Sequence, residues 1–237
     1  MSPIIHAYWY NSPGFKNVGD TLTPIIVEHY TRKKIHLVPK EMKGKLLSVG
    51  SIMKMLRPTD VVWGTGIARQ DDSFPIAKQC KFLAVRGKLT EKILGLPIQA
   101  YGDPALLLPL IYNPNIDKTK NIGYVPHYID QQHFKKITSE TVNFIDVKLP
   151  WKQFIDKLLQ YKLIRSSSLH GVIIAEAYGI RAEWVKYSNQ VIGNGFKFRD
   201  YLTGTNRQVQ EPGLFPPIKD LVQIQQKLIH VLQDHYK

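Results

Sequence analysis

Short apolar runs that stop at glycine or serine recur along the chain, at 46–50, 61–64, 82–87 and 98–102 and again at 122–125, 142–147, 163–167 and 183–186. Runs this short, bounded by turn formers, fit buried strands better than core helices. Helical stretches fall between them. Asp20 as N-cap with Pro24 in the first turn predicts a helix to about Arg32, and 88–94 predicts another closed by Gly95. Further helices are expected at 151–160 and 171–178. Strands alternating with helices predict an α/β fold with parallel, doubly wound sheets, one in each half of the chain. The turn formers Asn113-Pro114-Asn115 mark a hinge between residues 1–113 and 114–216. Beyond it, Leu221, Ile224, Leu228, Val231 and Leu232 give the segment 217–237 one apolar helical face, free to pack on either half.

Charge and cysteine content narrow the partners. With 32 Lys+Arg against 19 Asp+Glu the formal net charge is +13, which favours anionic ligands or surfaces. The basic residues are scattered without a run of five, so no nucleic-acid partner is expected. A single cysteine, Cys80, excludes an intramolecular disulfide and a cysteine-based zinc site within one chain, and suits a reducing compartment. The N-terminal residues lack the basic start and apolar run of a signal peptide, and nowhere do about 18 apolar residues follow one another. A cytoplasmic location is expected, with any membrane contact peripheral.

Chemistry concentrates in Arg165-Ser166-Ser167-Ser168-Leu169-His170-Gly171, where an expected strand ends and an expected helix begins. Such a junction aims free backbone N–H groups and hydroxyls at one point, where an anion binds readily. A bound anion beside His170 would keep its imidazole charged and ready to donate a proton. Equally, the serines could cap the helix and His170 could be a buried, hydrogen-bonded histidine. Arg86 closes a strand in Val85-Arg86-Gly87, where open α/β sheets place ligands, although a surface salt bridge would explain it too. Asp103 reads first as a turn aspartate that could also position a partner, and His127 ends another expected strand. Gly64-Thr65-Gly66 opens like a dinucleotide loop, but Arg69 stands where the third glycine belongs. Walker A, Gly-x-Ser-x-Gly and His-Glu-x-x-His motifs are absent. Trp9, Tyr10, Trp63 and Trp184 could stack on sugar rings or fill the core.

Taken in order, Asn17-Val18-Gly19-Asp20, Ser48-Val49-Gly50-Ser51, Val62-Trp63-Gly64-Thr65-Gly66, Val85-Arg86-Gly87, Tyr101-Gly102-Asp103-Pro104-Ala105 and Ser167-Ser168-Leu169-His170-Gly171 resemble the polysaccharide pyruvyl transferase family. The likeness is greatest to the exopolysaccharide ketalases. It implies two Rossmann-like halves facing a cleft, as in glycosyltransferase B enzymes, with phosphoenolpyruvate as donor and a lipid-linked oligosaccharide as acceptor. The basic surface and the C-terminal amphipathic helix are compatible with docking at the inner face of the membrane, although ordinary packing explains that helix more simply. No cofactor and no metal are implied. Carried onto this chain, the resemblance makes His170 the general acid and Arg86 a donor-binding group. Ser167, Ser168, Leu169 and Gly171 surround the donor anion, with Asn17, His127 and Lys197 nearby. Asp20 or His127 would take the acceptor's proton. Many relatives carry arginine where this chain has Ser168, so Arg165, Lys197 or Arg199 would supply the missing charge. The rival reading is a nucleotide-sugar glycosyltransferase of the same architecture. The glutamates eight apart that often mark such enzymes are not matched by Glu176 and Glu183, seven apart.

Overall fold

The computed structural model describes residues 4–11, 17–137 and 143–237. Its first sheet contains β1 (Ile5–Tyr8), β2 (Ile35–Leu37), β3 (Leu46–Leu47), β4 (Val61–Trp63) and β5 (Lys81–Ala84), all parallel, in the order β2-β1-β3-β4-β5. Chain progression therefore reverses direction between β1 and β3. In an open parallel sheet that reversal leaves a crevice outside the carboxyl ends of the two strands. The second sheet, β6 (Lys120–Val125), β7 (Tyr161–Ser166), β8 (Arg181–Trp184) and β9 (Gly213–Leu214), is parallel through β8, but β9 runs antiparallel. The fold is α/β with one parallel and one mixed sheet, which corrects the expectation of a doubly wound parallel sheet in the second half.

Several helices follow the sequence signals closely. Helix α1 (Leu22–Thr31) holds Pro24 in its first turn, and α2 (Lys88–Leu94) ends at Gly95 in the left-handed conformation that glycine tolerates. Helix α3 (Gln131–Ile137) follows β6, α4 (Trp151–Leu159) precedes β7, and α5 (Leu169–Ala177) follows it. Helices α6 (Phe196–Gly204) and α7 (Leu221–His235) complete the set. Asp20 corrects the N-cap reading: it lies in a 3-10 turn, Gly19–Thr21, and Thr21 occupies the cap position without a side-chain bond.

Other expectations shift for local reasons. Residues 98–102 form only a bridge between Val85 and Tyr101, because Asp103 and Pro104 open a 3-10 segment at once. The expected strand at 142–147 is likewise a bridge, Tyr124 to Phe144, and Val142 lies outside the described residues. Strands β1 and β2 escape an apolar-run criterion because His6 and His36 interrupt them. Helix α6 alternates buried and half-buried residues around Phe196, Phe198 and Tyr201, which hides its helical period.

Helix α7 packs back on the first sheet's side. Trp63 Nε1 donates to Leu228 O at 3.0 Å and Gln225 Nε2 to Leu106 O at 2.7 Å. One cluster of buried apolar side chains runs from Ile5 and Leu46 through Leu106 to Ile164, Ile174 and Leu232, joining both sheets. Among the described residues no helix is long and apolar enough to cross a membrane.

Candidate functional site

The crevice outside β1 and β3 is one wall of a cleft of about 410 Å³; the segments after β6 and β7 form the other. Tyr10, Asn17, Asp20, Gly50 and Ser51 line it from the first half, and His127, Tyr128, Ser168, Leu169, His170 and Lys197 from the second. Strand-end geometry thus collects residues far apart in the chain.

His170 sits in the first turn of α5 and is 6% exposed. Its Nε2 faces Asp103 Oδ2 at 3.6 Å, and neither atom has another hydrogen-bond partner among the described residues. Asp103 spends its other oxygen on the turn, where Oδ1 accepts from Ala105 N at 3.0 Å. The turn role weighed for Asp103 is thus filled, while its second oxygen faces the imidazole. Across the ring lies Gly19, where a Cβ would stand 1.9 Å from His170 Nδ1. Only glycine lets the Asn17–Asp20 turn close over the imidazole.

Helix α5 begins after Ser168, whose backbone is extended and whose side chain makes no capping bond. Its hydroxyl is left to the cleft, beside the unbonded N–H groups of the first helical turn. Ser167 faces elsewhere: its Oγ donates to Asp130 Oδ2 at 2.6 Å and accepts from His127 N at 2.9 Å. Gly171 serves packing, since a Cβ there would come within 2.3 Å of Ser166 Oγ and 2.7 Å of Val125 Cγ1. Neither residue lines the cleft.

Arg86 is fully buried and also does not line the cleft. Its Nε and Nη2 meet Asp200 Oδ2 at 2.9 Å, Nη2 donates to Ile67 O and Nη1 to Ser51 Oγ, both at 2.6 Å. The surface-pair alternative is corrected by this burial, and among the described residues the guanidinium touches the cleft lining at Ser51. Gly66 makes room for it, because a Cβ there would lie 2.3 Å from Arg86 Cζ. Thr65, between the two glycines, donates from Oγ1 to Gly50 O at 2.7 Å and accepts from Ile52 N at 3.2 Å. Gly64-Thr65-Gly66 therefore shapes the cleft wall.

Three residues were expected to replace the missing arginine, and only one is free to do so. Arg165 is paired with Glu183 at 2.7 Å, and Arg199 with Glu211 and Asn194 O. Lys197 faces the cleft. Burial, reinforced by Arg86, lowers its ammonium to about 8 against the pull of Asp20 and Asp130. Burial raises the Asp20 carboxyl to about 6, opposed by His170 and Lys197. His127 falls to about 3 through burial and the neighbouring Lys197 and His170, so it is neutral at physiological pH. Asn17 Oδ1 accepts from Gly19 N at 3.1 Å and holds the turn.

Of the aromatic candidates, Tyr10 lines the cleft, Trp63 and Trp184 are core residues, and Trp9 packs against the core. Glu176 bonds Tyr201 and Arg207, and Glu183 bonds Arg165, so both glutamates are engaged away from the cleft. Sequence reasoning missed Ser51, Gly50 and Tyr128 as lining residues.

The cleft at the switch point of this α/β fold thus brings together an imidazole facing a carboxylate, an ammonium and a second carboxyl. The polysaccharide pyruvyl transferase family model matches residues 19–189, and the chain belongs to that family of transferases acting in polysaccharide biosynthesis. It is 31% identical over 207 residues to the uncharacterized protein L143 of Acanthamoeba polyphaga mimivirus, covering 79% of this chain and 70% of that one. It is 28% identical over 206 residues to the succinoglycan biosynthesis protein ExoV of Rhizobium meliloti (strain 1021), covering 82% of this chain and 62% of the relative. The chain thus spans less than two thirds of ExoV's length. No solved structure matches.

Proposed function

We propose that this chain transfers the pyruvyl group of phosphoenolpyruvate onto two hydroxyls of a polysaccharide precursor, leaving a pyruvate ketal and inorganic phosphate. The observation that carries the reading is the placement of His170, held between Asp103 and Gly19 at the start of α5, in a cleft whose cation is Lys197. Phosphoenolpyruvate brings a carboxylate and a phosphate, and oriented cationic and N–H donors suit both. Lys197, the Ser168 hydroxyl and the first-turn N–H groups of α5 are the groups assigned to it. Two halves bringing strand ends to one cleft suit a glycosyltransferase B-like arrangement, with donor and acceptor meeting between them.

In this mechanism His170, steadied by Asp103, protonates the donor's methylene carbon. The C2 cation is attacked by one acceptor hydroxyl, whose proton passes to Asp20. A carboxyl titrating near 6 is matched to that exchange near neutral pH. The second hydroxyl displaces phosphate from C2, closing the ketal. Of the two hydroxyl protons released, one balances the new methyl group and the other leaves with phosphate. Arg86 acts at one remove by fixing Ser51.

Phosphate release from phosphoenolpyruvate with a panel of aryl glycosides tests the reading. His170→Ala is expected to lose a factor of at least about 10² while still melting cooperatively as a folded protein. Undiminished release from that variant would overturn the role of His170. A thermal shift with nucleotide sugars and none with phosphoenolpyruvate would favour a glycosyltransferase instead.

A further inference from the structure

A second cavity of about 420 Å³ opens beside the cleft, at the carboxyl ends of β7 and β8. Ile192 belongs to the walls of both, and the consecutive residues Ser167 and Ser168 line one each. Its apolar floor is Trp184 stacked on Phe198, with centroids 4.5 Å apart and ring planes 7° from parallel. Its rim carries Ser188, Asn189, Gln190 and Asn194 together with Arg69 and Lys186, with the buried Asp130 behind them; Lys186 Nζ donates to Asn194 Oδ1 at 3.4 Å. Asp130 accepts from Ser167 Oγ and from Ser188 Oγ, so one carboxylate braces two sides of this cavity.

The rim has a built shape. Gly193, Asn194 and Gly195 have φ of 90°, 43° and 80°, three left-handed residues in succession. For Asn194 that conformation is strained, and such strain persists where surrounding contacts impose it. Two do so: the Asn194 carbonyl accepts from Arg199 Nη2 at 2.7 Å, and Gly193 packs so close to Ala68 that a Cβ would lie 2.0 Å from its carbonyl oxygen.

Side-chain amides offer donor and acceptor together, and Arg69, Lys186 and Asp130 add further donors and acceptors, a set that complements the paired hydroxyls of a sugar. Resting on the pyruvyl-transfer reading above, we propose that this second cavity is a subsite for the acceptor sugar next to the one being modified. The protein then selects an oligosaccharide over a single sugar.

Affinities of methyl β-glucoside and methyl β-galactoside are to be compared by calorimetry with those of methyl β-cellobioside and methyl β-lactoside, in saturating phosphoenolpyruvate. Asn194→Gly keeps the left-handed backbone and deletes the amide; Gln190→Ala deletes an exposed one. Wild type is expected to bind a disaccharide at least tenfold more tightly than the matching monosaccharide. The double variant should lose that preference while retaining its monosaccharide affinity and its thermal shift with phosphoenolpyruvate. Absence of a disaccharide preference in wild type, or its survival in the double variant, overturns the subsite. A preference present without any phosphoenolpyruvate thermal shift would instead sink the pyruvyl reading and leave the subsite standing.

Discussion

Asp20 illustrates at the scale of one residue how function is placed against stability. Burial raises its carboxyl from 3.8 to about 6, so the folded chain binds a proton there more tightly than the unfolded chain does. Its protonated form contributes stability that is full below about pH 4 and lost as pH rises through 6. At pH 7.5 the folded protein holds a carboxylate its surroundings disfavour. Asp20→Asn, which mimics the neutral form, is therefore expected to raise stability at pH 7.5 by about 1–2 kcal/mol. Thermal melts should find that advantage vanishing toward pH 4, and phosphate release should fall even though the protein is more robust. A variant no more stable at pH 7.5 than at pH 4, relative to wild type, contradicts this account. His170, Asp20, Asn17, His127 and Lys197 were legible in the sequence and line the cleft, because each lies in or beside a short motif at a strand or helix end. The partnerships were not legible. Asp103 announces its turn two residues away at Ala105, whereas its approach to His170 depends on how two distant elements pack.

Secondary elements set the precision with which those side chains meet. Helix α5 is nearly all apolar and wholly buried, so it is located by packing on every side. Gly171 is the point of closest approach to β6 and β7. Gly171→Ala adds a methyl where Ser166 Oγ and Val125 already stand, and overpacking of this kind costs about 1–3 kcal/mol. The same displacement would lift His170 and the helix start from the cleft. Chemical denaturation should register that loss of stability, and donor affinity should weaken with it; native stability in the Gly171→Ala variant would mean α5 has room to spare. Helices such as α2 were readable because a left-handed glycine closes them. Strands of two or three residues, such as β2 and β3, were harder, since pairing with neighbours decides their extent. The antiparallel turn of β9 onto β8 depends on a long connection whose local sequence carries little strand character.

For the molecule as a whole, the two halves are tied at their ends by a charge pair. Arg86 stands after β5 and Asp200 lies in α6, both fully buried, and Asp200 also accepts from Thr90 N at 2.8 Å and Thr90 Oγ1 at 2.7 Å. Close packing seals the same junction, for a Cβ on Gly87 would meet Asp200 O at 1.8 Å and one on Gly204 would meet Arg86 O at 1.9 Å. Removing one member of such a pair strands a charge without water, which costs about 3–5 kcal/mol, whereas replacing both with apolar groups is far milder. Arg86→Met should therefore lower the unfolding free energy by about that amount, and Arg86→Met with Asp200→Leu should recover part of it. Recovery would be incomplete, because Ile67 O and the Thr90 donors remain without partners. If Arg86 served only to grip the donor, the single variant would unfold like wild type and the second substitution would restore nothing. Urea titrations of the three proteins decide between these outcomes, and donor affinity measured on the folded double variant reports how much of the cleft depends on Ser51 being held in place.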